Sequence, residues 1–307
     1  MRAFLFPGQG AQKVGMAKDL YESFPRIKET FDKAETCLGI DIKKIMFNGP
    51  EEELRESKNA QVSILLHSYI IYNLLRDYVT PDYLAGHSLG EYTAFLTADA
   101  LSFEDALHLV RFRGELMSMA GEKRPGTMAA IIGLSINEVK NIVEVSKKFG
   151  IIIVANFNSP MQFVVSGEKE PVMMAIKLTK EKGGKGIPLR VSGAFHSPLI
   201  GEVVEPFRKV LSKTDVRTPK YPVFSNVTGD VVDKPDGIRE LLAKQIVSAV
   251  RWTDIVVNMH KRGVDHFIEM GPGNVLSKLL AQTIKNVKIT TISTVDDVRR
   301  FMDEIEG

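Results

Sequence analysis

The stretch YLAGHSLGEYTAF at residues 83–95 contains the pattern that decides how this chain folds. Its first four residues predict a short strand, and GHSLG at 86–90 fits the pattern G-x-S-x-G. In that pattern a strand turns sharply into a helix with the serine at the tip, and the crowded turn leaves no room for side chains at the flanking glycines. The residues that follow read as a helix. Taken alone, the five residues are equally compatible with a glycine-rich turn that contains a capping serine.

Short apolar runs and helical patterns alternate on both sides of this stretch. Upstream, residues 61–78 have apolar positions at helical spacing, and residues 91–97 and 104–119 downstream also predict helices. The predicted strands of this part lie at residues 3–6, 83–86, 223–226, 266–269 and 289–292. Such alternation favours a hydrolase-like α/β fold, in which a mainly parallel sheet is flanked by helices.

Between residues 126 and 192 the order of elements changes. Strands and helices follow one another as β-α-β-β-α-β, at residues 127–132, 137–149, 151–156, 162–166, 171–182 and 185–191. This order is that of a ferredoxin-like unit, which is closed in itself. We therefore predict a ferredoxin-like small domain at 126–192, inserted into a large catalytic domain formed by 1–125 and 193–307. The dipeptides at 125–126 and 192–193 would be the hinges.

The composition is that of an ordinary soluble globular protein, with 44% apolar and 25% charged residues among 307. A net charge of +2 argues against a nucleic-acid binder that uses a broad basic face. The single cysteine, Cys37, can form neither an internal disulfide nor a cysteine-based metal site. No signal peptide or membrane span is predicted, so we expect a cytoplasmic protein that does not act at a membrane, with the monomer as the default state.

A serine hydroxyl needs a base to become a nucleophile, and histidine is the usual one. The six candidates are His67, His87, His108, His196, His260 and His266. His87 adjoins the serine, but a neighbouring residue in such a turn points away from it. His196 lies in the loop-like stretch SGAFHSP at 192–198, at the return to the large domain, where a cleft is expected. The other four lie in helical patterns or at a strand start, so spacing makes His196 a modest favourite.

Five motifs then occur in a fixed order along the chain. They are FPGQGAQ at 6–12, GHSLGEY at 86–92, NFNSP at 156–160, GAFHS at 193–197 and IEMGPG at 268–273. Together they resemble the malonyl-CoA:acyl carrier protein transacylases of bacterial fatty-acid synthesis, a family that includes the acyltransferase domains of polyketide and fatty-acid synthases. The resemblance extends from Phe4 to about Leu280 and leaves no unmatched domain.

The resemblance implies a catalytic role for four matching positions. Ser88 is similar to the family's nucleophile and His196 to its general base and acid, while the backbone N–H groups of Gln9 and Leu89 are similar to its oxyanion hole. The N–H that follows the nucleophile would lie at a helix N-terminus, and the turn at 7–10 can offer a second donor. Each such donor stabilises a tetrahedral oxyanion by roughly 3 kcal/mol.

The resemblance also implies how the histidine is oriented. No acidic third member of a triad is evident near His196. In the family a main-chain carbonyl holds the histidine, and the matching position is Gln245. A carbonyl can accept from the histidine N–H and fix its tautomer without adding charge.

The resemblance also implies which two residues determine specificity for the acyl group. Arg113 matches the family arginine that binds the free carboxylate of malonate, a task that suits a guanidinium because two parallel N–H groups fix both oxygens. Arg111 next to it is interpreted as a surface residue. Phe195 matches a position whose bulk distinguishes malonyl from methylmalonyl users, and phenylalanine there resembles the malonyl type.

The implied reaction moves the malonyl group of malonyl-CoA to the phosphopantetheine thiol of acyl carrier protein. It would follow a ping-pong mechanism through a malonyl-Ser88 ester, without a metal or cofactor. Carrier proteins are typically acidic, so basic residues at the cleft mouth are candidates for contact with them. These are Lys182, Lys185 and Arg190, although a solvated helix end explains them equally well.

Two other functions remain open on the sequence. An esterase or thioesterase could use the same serine and histidine on water, but a hydrolase has no need for Arg113 to hold a carboxylate. An idle regulator could bind coenzyme A or carrier protein without catalysis. The presence of Ser88, His196 and Arg113 together argues against that reading.

Overall fold

The structure is a computed structural model, and it describes residues 1–306. In chain order its strands are β1 (Arg2–Phe6), β2 (Tyr83–Gly86), β3 (Thr127–Ile132), β4 (Ile152–Ser159), β5 (Gln162–Gly167), β6 (Lys185–Pro188), β7 (Val223–Phe224), β8 (Val231–Val232), β9 (His266–Met270) and β10 (Lys288–Ile292). These strands form one sheet of six and one of four.

The helices occupy most of the remaining chain. They are α1 (Lys18–Ser23), α2 (Lys28–Leu38), α3 (Ile42–Asn48), α4 (Glu51–Arg55), α5 (Ser57–Leu75), α6 (Leu89–Thr97), α7 (Phe103–Lys123), α8 (Ile136–Ser146), α9 (Lys169–Glu181), α10 (Val204–Leu211), α11 (Pro235–Gln245), α12 (Trp252–Lys261), α13 (Val275–Thr283) and α14 (Val295–Glu306). Short 3-10 helices lie at Pro25–Ile27, Lys147–Phe149 and Pro198–Val203. Within residues 1–306, no helix has both the length and the apolar character needed to cross a membrane.

The six-stranded sheet has the order β10-β9-β1-β2-β7-β8 and is parallel except for the β7–β8 pair. Its central strand β1 is buried on both faces. Phe4 and Phe6 pack into the cluster that contains α5, α6 and α7, whereas Ala3 and Leu5 pack against α12 and α13. A strand covered on both faces reads as a continuous apolar run, which is why residues 3–6 show no alternation of apolar and polar side chains.

The four-stranded sheet is antiparallel, with the order β4-β5-β3-β6. One face packs on α8 and α9 through residues such as Ile131 and Val165. The opposite face includes Met128 and Val164, which join the core cluster of the larger sheet. This strand order, with two helices on one face, is the ferredoxin-like arrangement.

The predicted fold class is confirmed, a parallel-rich sheet flanked by helices with a small ferredoxin-like unit. The exact boundaries at 125–126 and 192–193 stay a prediction. Several predicted elements are longer than the observed ones, such as the strand at 223–226, which ends at Phe224. It ends there because Ser225 donates from its N–H to the Asp230 carbonyl and Asn226 turns toward the loop after β2.

Hydrogen bonds in the middle of β4 join the smaller sheet to a loop of the larger unit. The Phe157 N–H donates to the Val250 carbonyl at 2.9 Å, and the Val250 N–H donates to the Ala155 carbonyl at 2.8 Å. The segment that contains Val250 follows α11 and belongs to the larger unit. Strand β4 therefore pairs with both its own sheet and a loop of the other.

Candidate active site

The turn between β2 and α6 has the geometry of a nucleophile elbow. Ser88 has φ 51° and ψ −102°, an uncommon conformation for a residue with a side chain. A Cβ on Gly86 would lie 1.9 Å from the Gly90 carbonyl oxygen, and a Cβ on Gly90 would lie 2.0 Å from the Phe6 carbonyl oxygen. Both flanking positions therefore require glycine, because rigid backbone occupies the space that a side chain would need.

Asn226 holds the elbow from the end of β7. The Ser88 N–H donates to Asn226 Oδ1 at 2.6 Å, and Asn226 Nδ2 donates to the Gly86 carbonyl at 2.7 Å. The Asn226 side chain is fully buried, so these bonds are shielded from water. One amide thus binds the chain on both sides of His87 and holds the strained serine in place.

His196 lies against the serine. Its Nε2 is 2.8 Å from Ser88 Oγ, and its Nδ1 is 2.9 Å from the Gln245 carbonyl and 3.1 Å from the Ser248 carbonyl. Carbonyls only accept hydrogen bonds, so Nδ1 carries the proton and Nε2 is free to take one from the serine. Burial and the nearby positive charge of Arg113 lower the pKa of His196 to about 3. The imidazole is therefore a neutral base near pH 7.

The other histidines have different partners within the described residues. His87 packs against Trp252, with ring centroids 5.7 Å apart, and its Nε2 is 2.9 Å from Asn158 Oδ1. His67 is buried, with its Nε2 2.9 Å from the Ser293 carbonyl. Among the six, only His196 reaches Ser88 in the structure as described for residues 1–306.

Two backbone N–H groups stand free beside the serine. Gln9 follows the end of β1, and Leu89 begins α6 directly after Ser88. Within residues 1–306, neither N–H has an acceptor. Gln9 Nε2 donates to Ser57 Oγ at 3.0 Å, which restrains the turn after β1, and Gln9 lines the same cleft as Ser88. Two unsatisfied donors near a nucleophile suit a developing oxyanion.

Arg113 projects from α7 to the same serine. It is 1% exposed, and its guanidinium donates to Gln61 Oε1 at 2.7 Å, to Gln245 Oε1 at 2.9 Å and to Ser88 Oγ at 2.9 Å. No carboxylate of the described residues forms an ion pair with it, and its Nε has no partner there. A buried guanidinium held only by neutral groups is costly, and it is well suited to receive an anion.

Arg111 behaves as a surface residue, as the sequence indicated. Its Nε donates to Glu115 Oε1 at 2.9 Å and its Nη1 to Asn59 Oδ1 at 2.7 Å, and the side chain keeps partial exposure. The two arginines of α7 therefore differ in burial and in partners. Only Arg113 faces the serine.

Gln245 also contributes its side chain to the site, whereas the sequence analysis implied a role only for its main-chain carbonyl. It is fully buried, and its Nε2 donates to the Ser88 carbonyl at 2.9 Å and to Glu91 Oε2 at 2.6 Å. Sequence reasoning also missed Asn226, Gln61 and Glu91. The available signal was a polar residue within an apolar stretch, as at Gln61 and Glu91, although that pattern does not reveal the partner.

Ser88 and His196 line a cleft of about 460 Å³ between the two sheets. Its walls include Gln9, Met128, Asn156, Val164, Phe195 and Leu279. Phe195 is buried beside the histidine, and Arg190 is an exposed residue of the cleft lining. Lys182 and Lys185 are exposed and lie outside this lining. In residues 1–306 no cluster of three or more His, Cys, Asp or Glu side chains is arranged to hold a metal ion.

Comparisons with known proteins agree over nearly the whole chain. A family model described as acyl transferase domain matches residues 3–303. The chain is 41% identical over 299 residues to malonyl CoA-acyl carrier protein transacylase of Bacillus subtilis (strain 168), covering 96% of this chain and 94% of that protein.

Solved structures are similar over the same length. An acyl carrier protein S-malonyltransferase from Vibrio cholerae has a TM-score of 0.93 at 36% identity, with 98% of this chain and 99% of that chain covered. A malonyl-transacylase in complex with its type II PKS acyl-carrier protein has a TM-score of 0.96 at 33% identity, with 99% of both chains covered.

Proposed function

This chain belongs to the acyl transferase domain family, and from that premise we propose how its site performs the reaction. It is an acyltransferase that moves the malonyl group of malonyl-CoA to acyl carrier protein for fatty-acid synthesis. The roles of individual residues, the ping-pong order of steps and the docking of the carrier are proposals.

In the first half-reaction Ser88 Oγ attacks the thioester carbonyl carbon of malonyl-CoA. Its proton passes to His196 Nε2, at 2.8 Å, and the protonated imidazole is stabilised by the carbonyls of Gln245 and Ser248. The tetrahedral intermediate collapses with cleavage of the C–S bond, and the proton on Nε2 goes to the departing thiolate. The products are malonyl-Ser88 and free coenzyme A.

The second half-reaction uses the same groups in reverse. The phosphopantetheine thiol of the carrier gives its proton to His196 Nε2, and its sulfur attacks the ester carbonyl. The C–O bond to Ser88 breaks and the serine oxygen takes the proton back. The backbone N–H groups of Gln9 and Leu89 would hold the oxyanion in both halves. Nucleophile, base and oxyanion donors all come from the chain, so the proposed steps need no metal or cofactor.

One observation carries the malonyl assignment of this site. Arg113 is buried, has no carboxylate partner within residues 1–306 and touches the oxygen that would carry the acyl group. An acyl chain with a free carboxylate would neutralise it, whereas an acetyl chain would leave the cation unpaired. Phe195 beside His196 would limit the bulk of the acyl group. A water-using esterase gains nothing from this arrangement.

The carrier protein is the partner supported by the comparison with a transacylase–carrier complex. For this chain we propose that the carrier docks at the cleft mouth, where Arg190 can meet its acidic surface. Lys182 and Lys185 are weaker candidates because they lie outside the cleft lining. Monomeric state and cytoplasmic location stay predictions from the sequence.

Radiolabelled malonyl-CoA tests the covalent intermediate. The wild type should give a burst of one labelled malonyl group per chain, and a thiol acceptor should discharge it. Ser88→Ala should show no adduct by intact-protein mass spectrometry, because the attacking oxygen is gone. An adduct on Ser88→Ala would refute the assigned nucleophile. Rapid release of free malonate without a thiol would instead identify a hydrolase.

A further inference from the structure

Glu91 is a buried carboxyl group that the proposed mechanism does not use. It lies three residues after Ser88 on α6, is fully buried, and stands in an otherwise mostly apolar helix. Its Oε2 accepts from Gln245 Nε2 at 2.6 Å and from the Asn226 N–H at 3.2 Å. Its Oε1 has no partner within residues 1–306. Each donor belongs to a residue that holds the active-site serine or histidine.

The bond from Gln245 determines which way its amide points. Gln245 Nε2 has two hydrogens, and they go to Glu91 Oε2 and to the Ser88 carbonyl at 2.9 Å. The amide oxygen is thereby directed at Arg113, which donates to it at 2.9 Å. A flipped amide would bring its oxygen against two acceptors and its NH₂ group against the guanidinium. Glu91 therefore favours one of the two amide orientations.

The amide also separates Glu91 from Arg113. A direct carboxylate–guanidinium pair would fill the donors of Arg113 and leave none for an acyl carboxylate. Placed behind the amide, Glu91 orients the arginine without occupying its open side. The titratable groups that interact with its charge are Arg113 on α7 and Tyr92 on its own helix. Burial raises the pKa of Glu91 to about 7, although its hydrogen bonds from Gln245 and Asn226 act in the opposite direction.

We propose that Glu91 is a positioning residue for acyl-group selection, because it fixes the Gln245 amide that holds Arg113 beside Ser88. The inference rests on the proposed function, since it deals with how the malonyl carboxylate is recognised. It assigns Glu91 no contact with substrate. It requires only that Glu91 offer an acceptor where Oε2 now lies.

Two substitutions separate this role from a general contribution to the core. Glu91→Leu removes the acceptor, so kcat/KM for malonyl-CoA should fall at least about tenfold while that for acetyl-CoA falls less than about threefold. Glu91→Gln keeps an oxygen at the Oε2 position and places its NH₂ group where Oε1 has no partner. It should retain malonyl transfer within about threefold of the wild type.

Glu269 supplies the matched control. It is also a buried carboxyl group, but it accepts from the N–H groups of Leu276 and Ser277 at the start of α13. Glu269→Gln should lower the unfolding temperature and leave the malonyl-to-acetyl ratio unchanged. Should Glu91→Leu fail to fold, Glu91→Ala removes the same acceptor without adding branched apolar bulk and leaves the Gln245 side chain in place. It should give the same malonyl-selective loss.

The outcomes are distinct. Equal losses of malonyl and acetyl transfer in Glu91→Leu, or in Glu91→Ala if it is used instead, would reduce Glu91 to a structural residue and overturn the inference. A Glu91→Gln variant as impaired as Glu91→Leu would also overturn it, because the negative charge and not the acceptor would then matter. Failure of the proposed function would appear differently, as a wild type that does not prefer malonyl-CoA.

Discussion

Arg113 Nη2 lies 2.9 Å from Ser88 Oγ, so the residue proposed to read the acyl group touches the atom proposed to carry it. An ester formed on this oxygen would place its acyl chain directly beside the guanidinium. Selection could then act on the covalent intermediate as well as on binding of the donor. A neutral acyl group would leave the arginine with only the amide oxygens of Gln61 and Gln245 and the serine oxygen.

Replacement of Arg113 by alanine should lower malonyl transfer much more than acetyl transfer. Loss of a buried charged hydrogen-bond pair corresponds to about 3 kcal/mol, or roughly a hundredfold in kcat/KM for malonyl-CoA. Acetyl transfer should fall much less, or rise, because the unpaired cation is gone. Lysine at this position should rescue only partly, since a point charge cannot reproduce two parallel N–H groups. Equal losses for both substrates would mean that Arg113 supports the fold or binds coenzyme A.

His196→Ala should slow formation of the malonyl-enzyme by between about 100-fold and about 10,000-fold, because no other base within residues 1–306 is hydrogen-bonded to Ser88 Oγ. Rapid-quench measurement of the acylation rate tests this. His87→Ala is the matched comparison, because His87 lies beside Ser88 in sequence but binds Asn158 and packs against Trp252. It should act mainly on stability. A dead His87→Ala with a nearly normal His196→Ala would reverse the assignment.

The charge of Arg113 should appear in the pH dependence of the reaction. Burial first, and then the positive charge of Arg113, lower the pKa of His196 to about 3. Removal of the cation makes protonation of the imidazole easier, so Arg113→Ala should move the acid inflection of kcat/KM for acetyl-CoA to higher pH. The wild type should keep its His196 neutral well below pH 6. An inflection that stays in place, or moves to lower pH, would contradict the proposed electrostatic coupling.

Gly90→Ala should destabilise the protein and abolish the elbow. Its new Cβ would lie 2.0 Å from the Phe6 carbonyl oxygen, and neither backbone can move away cheaply. We expect a loss of roughly 3 kcal/mol in the free energy of unfolding, measured with urea, together with loss of acylation. Gly201→Ala is the control, because a Cβ there meets nothing within 4 Å. Its unfolding free energy should change by less than about 1 kcal/mol.

The sequence predicts those parts of the site whose signal is local. Ser88 lies in a five-residue pattern that is typical of a strand–turn–helix, and the structure has that turn. Arg113 required the family resemblance, because an arginine on a helix is ordinarily exposed. His196 was predicted from two kinds of evidence, because its position in a loop favoured it as the base and the family resemblance then selected it. The strand at 127–132 was predictable to the residue because its apolar run is bounded by glycine on both sides.

The residues that hold the site were not predictable, because their partners are remote in sequence. Asn226 binds the Ser88 N–H across 138 positions, and Gln245 reaches Glu91 across 154. A polar residue after a short strand, or in a helix, gives no sign of such a partner. The domain boundaries stay a prediction for a related reason, since β4 is hydrogen-bonded to the segment that contains Val250, which belongs to the larger unit.

The hydrogen bonds between β4 and the segment that contains Val250 also affect how substrates enter and leave the site. Val250 exchanges hydrogen bonds with β4, and the same segment provides the carbonyls of Gln245 and Ser248 that hold His196. Any rotation of the small sheet away from the large one would pull on the histidine and spoil its alignment. We therefore expect the opening to keep its width throughout the cycle. If that passage holds one pantetheine arm at a time, we expect coenzyme A to depart before the arm of the carrier enters.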